Sequence, residues 1–258
     1  MGYQLDLTGK KALVVGIANE HSIAYAAACA FRELGADLAI TYLNEKAEKY
    51  VRPLAEQLEA SIIMPLDVNV EGQLEAAFDV IAQQWGRLDI LLHSIAFAPK
   101  EDLHGRVVDT SKAGFALAMD ISCHSFIRMA HLAEPLMKEH GGSMMTVTFY
   151  GSQRVVDTYN MMGPVKAALE AVVREVASEM GESRIRVNAI SPGPILTRAA
   201  SGITHFDSLL EETARRAPQR SLINLEDIGG VSAFLASDLS DAITGAVIYV
   251  DNGANIIA

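Results

Sequence analysis

A tyrosine and a lysine near the middle of the chain have the types and spacing best suited to chemistry. Tyr159 precedes Lys166 by seven residues, so two helical turns would bring both to nearly the same face, with a rise of roughly 10 Å. A phenol has a pKa near ~10, and a nearby ammonium lowers it. We therefore expect both side chains to reach one cleft from one helix. For the pair alone, a packed tyrosine and a solvated lysine would be the default interpretation.

Short apolar segments alternate with longer segments of helical period along the chain. Nearly continuous apolar runs are typical of strands covered on both faces, and hence of a parallel sheet between helices. The sequence predicts strands at 12–15, 37–42, 61–66, 88–94, 143–148, 185–190 and 246–250, and helices at 22–34, 45–58, 70–85, 110–138 and 158–180. We expect an α/β fold over residues 1–258: one Rossmann-like, doubly wound parallel sheet of about seven strands with helices on both faces.

The segment 191–222 interrupts this alternation. It opens with Ser191-Pro192-Gly193-Pro194 and continues through a run of small residues. A long insertion at one end of a sheet is more often a lid or a binding loop than part of the scaffold. We expect a substrate lid at about 195–222.

Small and polar residues follow several predicted strands, where an open parallel sheet binds its ligands. Gly16 follows the first strand and can turn tightly, while Ser22 sits where a helix begins and could help hold a pyrophosphate. Asp67 follows the third strand and could bind an adenine amino group, and residues 94–98 offer exposed backbone to a flat ring. The segment 16–24 lacks the GxGxxG motif of dinucleotide-binding loops. The alternative is a plain strand–turn–helix with Ser22 as N-cap.

The residues after the second strand indicate which dinucleotide would bind. An NADP site usually places an arginine or lysine there to meet the 2′-phosphate. None occurs before Lys46, and Glu45 would repel a phosphate. The sequence therefore favours NADH over NADPH.

Composition excludes several classes of protein. The 258 residues include 21 Lys plus Arg and 32 Asp plus Glu, a net charge of −11 that argues against general nucleic-acid binding. Cys29 and Cys123 are too few for a disulfide scaffold or a CxxC…CxxC zinc site, and we expect no metal. No apolar run reaches the length of a membrane span, so no membrane association is expected. His93, at a strand end, is interpreted as a buried, hydrogen-bonded residue rather than a base.

Six motifs occur in one order: Gly16-x5-Ser22-Ile23-Ala24, Asp67-Val68, His93-Ser94-Ile95-Ala96-Phe97-Ala98, Asp120-Ile121-Ser122, Tyr159-x6-Lys166 and Ala189-Ile190-Ser191-Pro192-Gly193-Pro194-Ile195. Together they closely resemble the NADH-dependent enoyl-acyl-carrier-protein reductases, a divergent branch of the short-chain dehydrogenase/reductase family. The resemblance runs from about residue 5 to residue 255.

The resemblance implies reduction of a trans-2-enoyl thioester by NADH in fatty-acid elongation. Tyr159 would contact the substrate and stabilise charge on the thioester oxygen, Lys166 would bind the nicotinamide ribose, and Ala98 would lie near the acyl group. The NAD-binding residues would be Gly16, Ser22, Ile23, Asp67, Val68, Ser94, Ile95, Lys166, Ile195 and Thr197. An acyl carrier protein as partner, a homotetramer and a cytoplasmic location are also implied. Charge complementarity suggests docking of that carrier at Arg198, Arg215, Arg216 and Arg220, with a solvated helix face as the alternative.

Three positions depart from related patterns. Ketone-reducing relatives carry a tyrosine four residues before the lysine and a hydroxyl residue seventeen before it, where this chain has Met162 and Phe149. The enoyl reductases often have a second tyrosine where Phe149 stands, beside Tyr150, and a glutamine where Leu43 stands. The alternatives are a non-catalytic NAD(H) sensor of the same fold and a reductase of another activated alkene.

Overall fold

Seven parallel strands form one sheet in the computed structural model, which describes residues 4–157, 159–197 and 206–257. The sheet has the order β3-β2-β1-β4-β5-β6-β7. The chain thus extends the sheet from β1 in one direction and then from β1 in the other, a reversal beside which ligands bind in such folds. The strands are β1 (Lys11–Val15), β2 (Asp37–Tyr42), β3 (Ile62–Pro65), β4 (Ile90–His93), β5 (Gly142–Val147), β6 (Ile185–Pro192) and β7 (Val247–Val250).

Helices cover both faces of this sheet. Alternate strand residues point to opposite faces, so Leu13 and Leu91 belong to one core and Val14 and Leu92 to the other. The predicted Rossmann-like fold is confirmed. In the described ranges the helices are α1 (Ile23–Glu33), α2 (Glu45–Gln57), α3 (Gln73–Trp85), α4 (Lys100–Leu103), α5 (Lys112–Met119), α6 (Ser125–Met137), α7 (Met162–Met180), α8 (Phe206–Arg216) and α9 (Leu225–Ala236).

Two predicted helices are shorter or less regular than expected. α3 begins at Gln73 because Gly72, with φ +79°, precedes it in the left-handed region. The helix predicted at 110–138 is α5 and α6 joined by a π-helical turn, Asp120–His124. That turn is wider than an α-helical turn, a feature frequent at functional sites. No helix in the described ranges is long and apolar enough to span a membrane.

The placement of Tyr159 corrects the sequence prediction. The helix predicted at 158–180 begins at Met162, so Tyr159 lies before α7 while Lys166 lies on it. Asn160 has φ +45°, which turns the chain between the tyrosine and the helix. Pro164 falls in the first helical turn, where its missing N–H has no intrahelical partner to lose.

Candidate functional site

Two adjoining cavities lie at the carboxyl ends of the strands. We call them the Tyr159 cavity, of about 360 Å³, and the Asp67 cavity, of about 520 Å³. Residues Ser94, Ile95, Ala96 and Phe97, which follow β4, line both. The two cavities therefore share a wall and lie side by side across the point where the strand order reverses.

The structure brings nearly all the predicted site residues to these cavities. Ser94 and Ile95 belong to the shared wall. The Tyr159 cavity is also lined by Ile23, Ala98, Tyr159, Lys166, Ile195 and Thr197, and the Asp67 cavity by Gly16, Asp67 and Val68. The exception is Ser22, which is absent from the described lining of both.

Gly16 and Ser22 shape the loop between β1 and α1. Gly16 has φ +115°, and a Cβ there would lie 2.1 Å from the Ser94 carbonyl oxygen. A side chain at this position would therefore collide with the backbone that directly follows β4. The Ser22 hydroxyl accepts hydrogen bonds from the N–H groups of Ala18 (3.0 Å) and Asn19 (3.1 Å). Ser22 occupies the N-cap position of α1 but its side chain forms no capping bond. The hydroxyl thus stabilises the loop between β1 and α1, and the contact of Ser22 with a pyrophosphate stays a prediction.

Tyr159 is held by the turn that follows β5. The rings of Tyr159 and Phe149 meet edge to face, with centroids 4.8 Å apart. Gly151 lies against the same ring, because a Cβ on it would come within 2.6 Å of Tyr159 Cδ1. Burial raises the pKa of Tyr159 above its usual value, and the Glu170 carboxylate raises it further. The pKa of Tyr159 is therefore raised, and the expectation that an ammonium lowers it is wrong.

Lys166 reaches the Tyr159 cavity from α7. Its ammonium donates a 2.7 Å hydrogen bond to the Val147 carbonyl oxygen at the end of β5. Burial lowers the pKa of Lys166 to about 8, while Cys123 and Glu170 act in the opposite direction. The side chain is thus mainly protonated at neutral pH, and its charge is lost under mildly alkaline conditions.

His93 lies within the core beneath the site. Its ring nitrogens are 2.8 Å from Thr146 Oγ1 and 2.8 Å from Ser125 Oγ, and its exposed fraction is 1 %. Burial lowers the pKa of His93 to about 3, and the Lys166 charge lowers it further. The ring is neutral at pH 7, and its interpretation as a buried, hydrogen-bonded residue is confirmed.

Several lining residues were not selected from the sequence. Thr41 lies near the end of β2 and Leu43 directly follows the strand, so the strand-end argument used for Gly16 and Asp67 could have selected them. Leu117 and Ile121 come from α5 and the π turn, where helical periodicity gives no sign of a ligand. The others are Val15, Ile17, Ala18, Leu66 and Asn69 in the Asp67 cavity and Leu103, Val147, Thr148, Phe149, Met162, Pro192, Gly193 and Pro194 in the Tyr159 cavity.

The arginines proposed for carrier docking fall in and after α8. Arg216 forms a 3.0 Å ion pair with Glu212, and Arg220 donates a hydrogen bond to the Arg215 carbonyl. Arg198 and the segment 198–205, part of the predicted lid, lie outside the described residues.

Comparison with known proteins gives concordant results. A family model described as Enoyl-(Acyl carrier protein) reductase matches residues 16–255. The enoyl-acyl-carrier-protein reductase (NADH) FabI of Nostoc is 48% identical, with 98% of this chain and 99% of that protein covered. A reductase structure from Anaplasma phagocytophilum in complex with NAD has a TM-score of 0.94 and 43% identity, covering 99% and 97% of the two chains.

A Bacillus cereus reductase structure with NADP+ and indole naphthyridinone has a TM-score of 0.96 and 43% identity, and the alignment covers 99% of this chain and 100% of that one. These matches span nearly the whole length, at identities well above those at which only a fold is shared. The family indicated by the sequence motifs is confirmed, and this chain belongs to the enoyl-acyl-carrier-protein reductase family.

Proposed function

We propose that this protein reduces the trans-2 double bond of an enoyl thioester on an acyl carrier protein, with hydride from NADH, in fatty-acid elongation. The observation that carries the proposal is that Tyr159 and Lys166 line one cavity, which shares the wall 94–97 with a second cavity bordered by Asp67. A dinucleotide laid along this wall would place its nicotinamide beside the tyrosine.

The residues present fit such a dinucleotide. Gly16 has no side chain where the loop after β1 lies against the Ser94 carbonyl, and α1 begins at Ile23, where the positive end of a helix dipole favours a phosphate. Asp67 and Val68 border the cavity that would take the adenosine, and Ile195 and Thr197 border the one that would take the nicotinamide. Bound NADH supplies the hydride.

The same cavity favours NADH over NADPH. Leu43 is apolar and lines the Asp67 cavity, and Glu45 begins α2 two residues later. Among the described lining residues of that cavity none is an arginine or lysine, so a 2′-phosphate would meet no counter-charge. The NADP+ bound to the Bacillus cereus relative makes this preference a point to be measured.

Tyr159 and Lys166 would divide the chemistry between them. Negative charge builds on the thioester oxygen as the β-carbon is reduced, and a positioned phenol stabilises that charge by donating a hydrogen bond. The raised pKa of Tyr159 keeps its proton in place at neutral pH. Protonated Lys166 would hold the nicotinamide ribose and so orient the cofactor beside the substrate.

The lining around Tyr159 suits an acyl chain. Ala98, Leu103, Phe149 and Met162 present apolar surface to the cavity. Phe149 and Met162 occupy the positions where ketone-reducing relatives have hydroxyl groups, and neither can polarise a ketone. This lining therefore supports enoyl reduction over alcohol or ketone chemistry.

The remaining parts of the proposal concern the surroundings of the site. The segment at about 195–222, which contains α8, would form the substrate lid. Arg215, Arg216 and Arg220 would meet an acidic acyl carrier protein. Apolar positions on α5, α6 and α7 would pair across subunits in a homotetramer. Residues 1–258 would form a single domain, and the protein would be located in the cytoplasm.

The test is NADH oxidation by the purified protein with enoyl thioesters of graded chain length and a β-ketoacyl thioester as control. We expect turnover of the enoyl series and none of the control. NADH binding without oxidation of any enoyl thioester would refute the proposal and favour the non-catalytic sensor. Activity only on a non-thioester alkene would favour the other alternative.

A further inference from the structure

A buried carboxylate lies one helical turn beyond Lys166. Glu170 is on α7 with an exposed fraction of 5 %, and it is absent from the described lining of both cavities. Its Oε1 accepts hydrogen bonds from Thr148 Oγ1 (2.7 Å) and Ser152 Oγ (2.5 Å). Its Oε2 accepts a longer one, 3.4 Å, from Gln153 Nε2. A buried carboxylate is costly unless hydrogen-bonded, so these donors are what make its position tenable.

The two hydroxyl donors flank the turn that holds Tyr159. Thr148 directly follows β5, and Ser152 ends the short 3₁₀ helix Tyr150–Ser152. Between them lie Phe149, whose ring contacts that of Tyr159 edge to face, and Gly151, where a Cβ would collide with the Tyr159 ring. Through one carboxylate oxygen, Glu170 therefore holds both ends of the segment 148–152, which packs against the Tyr159 ring. We call this segment the Tyr159 seat.

The same region holds the ammonium. Lys166 donates to the Val147 carbonyl oxygen, and Glu170 accepts from the next residue, Thr148. Residues four apart on a helix are neighbours on its surface. The other titratable groups around Lys166 are neutral at pH 7: His93 from β4, Cys123 from the π turn and Tyr159 before α7. A Cys123 thiolate would also favour protonated Lys166, but burial raises the pKa of Cys123, so at pH 7 the negative charge near this lysine comes from Glu170.

We propose that Glu170 is a positioning residue for the reaction. Its carboxylate holds the turn that packs against Tyr159 and provides the counter-charge of Lys166. The inference rests on the proposed function, because it assigns Glu170 a part in how the two reacting side chains are held. It predicts separate effects for losing the charge and for losing the hydrogen-bond acceptor.

Glu170→Gln tests the charge. The amide keeps an oxygen for both hydroxyls but removes the negative charge that supports protonated Lys166. NADH affinity measured against pH should fall at a lower pH in this variant than in the wild type, where Lys166 loses its proton near pH 8. Glu175→Gln is the matched control, since Glu175 is exposed on the same helix, and its profile should follow the wild type.

Glu170→Ala tests the acceptor. Loss of both hydroxyl contacts should let the Tyr159 seat shift, and a displacement on the order of 1 Å can cost about 100-fold in rate. We expect kcat to fall by about tenfold or more, with a much smaller change in KM. The few-fold loss expected from Ser152→Ala should disappear in the Glu170→Ala background, because the shared contact is already gone. If Glu170→Ala does not fold, Glu170→Gln still decides the inference.

Two results would overturn the inference: a Glu170→Gln profile that coincides with that of Glu175→Gln, or a folded Glu170→Ala enzyme with the wild-type kcat. The NADH-binding profile needs no turnover. A wild-type protein that binds NADH but oxidises none with enoyl thioesters would therefore refute the proposed function, while the binding profiles still decide the role of Glu170.

Discussion

At the scale of single residues, the site pairs a phenol that keeps its proton with an ammonium that can lose its own. Burial raises the pKa of Tyr159 and lowers that of Lys166 to about 8. The neutral forms of both groups are favoured by the same low-dielectric surroundings. Catalysis that needs protonated Lys166 should therefore weaken above about pH 8 while the tyrosine remains a donor.

Replacing Tyr159 with phenylalanine should lower turnover by about 10²-fold or more, the range of a positioned proton donor or charge stabiliser. The ring would keep its packing against Phe149 and Gly151, and Lys166 would keep its bond to Val147. NADH affinity and Tm should therefore change little. Steady-state kinetics and fluorescence titration measure the two effects, and unchanged turnover would remove Tyr159 from the mechanism.

His93 should make the fold sensitive to acid. Its pKa of about 3 in the folded state lies below the ordinary 6.5, so the unfolded chain binds the extra proton between these values. The free energy of unfolding should then fall by about 1.4 kcal/mol per pH unit, for this group, as pH drops from 6.5 towards 3. Denaturant unfolding of His93→Gln across this range should show a shallower fall, and parallel curves would contradict the assignment.

At the scale of elements, the loop from β1 to α1 depends on Gly16. Alanine there would combine a φ of +115° with a Cβ 2.1 Å from the Ser94 carbonyl oxygen. Gly72 provides the control, since its φ of +79° is also left-handed but a Cβ would meet nothing within 4 Å. Gly72→Ala should cost only backbone strain, about 1–3 kcal/mol.

Gly16→Ala should cost clearly more than Gly72→Ala and should also weaken NADH binding, because the shared wall must shift. Chemical denaturation and NADH titration of the two variants test this expectation. Equal losses of stability with intact NADH affinity would show that the loop after β1 accommodates a side chain.

The elements also show how far sequence reasoning reaches. Both faces of the strands are covered, so their apolar runs predict the sheet, and Gly16 and Asp67 are found at the strand ends as expected. The starts of α3 and α7 are missed because left-handed residues at Gly72 and Asn160 interrupt the chain without changing its hydrophobic period.

Long-range contacts are harder still to predict. Tyr159 and Lys166 do line one cavity, but from a turn and a helix rather than from one helix. Glu170 is 22 residues from Thr148 in the chain, and only the crossing of α7 over the end of β5 brings them together. A carboxylate on a helix otherwise predicts a solvated face. α9 is not among the predicted helices, although the sequence does carry a signal for its start, the Asn224–Asp227 capping box.

At the scale of the whole molecule, the two cavities join residues from β1, β2, β5, β6 and α7 with the segment that follows β4. A ligand that fills them should stabilise the entire fold. At a free concentration of about 100 Kd, NADH should add about 2.7 kcal/mol and raise Tm by roughly 5 °C or more. NADPH at the same concentration should raise Tm less, owing to Leu43 and Glu45. An equal or larger rise with NADPH would overturn the cofactor preference.

The π turn Asp120–His124 indicates where this protein could lose one residue and keep its helices in place. The Ser122 hydroxyl in this turn accepts a hydrogen bond from the Phe97 N–H (2.9 Å) and donates one to the Phe97 carbonyl oxygen (3.1 Å). These two bonds hold the wall that both cavities share. A π turn is an α-helix with one residue too many. Deleting Ser122 would let a regular helix run from Lys112 to Met137 with its flanking surfaces still in register. We expect such a shortened protein to keep its fold, while the segment after β4 loses both hydrogen bonds to Ser122.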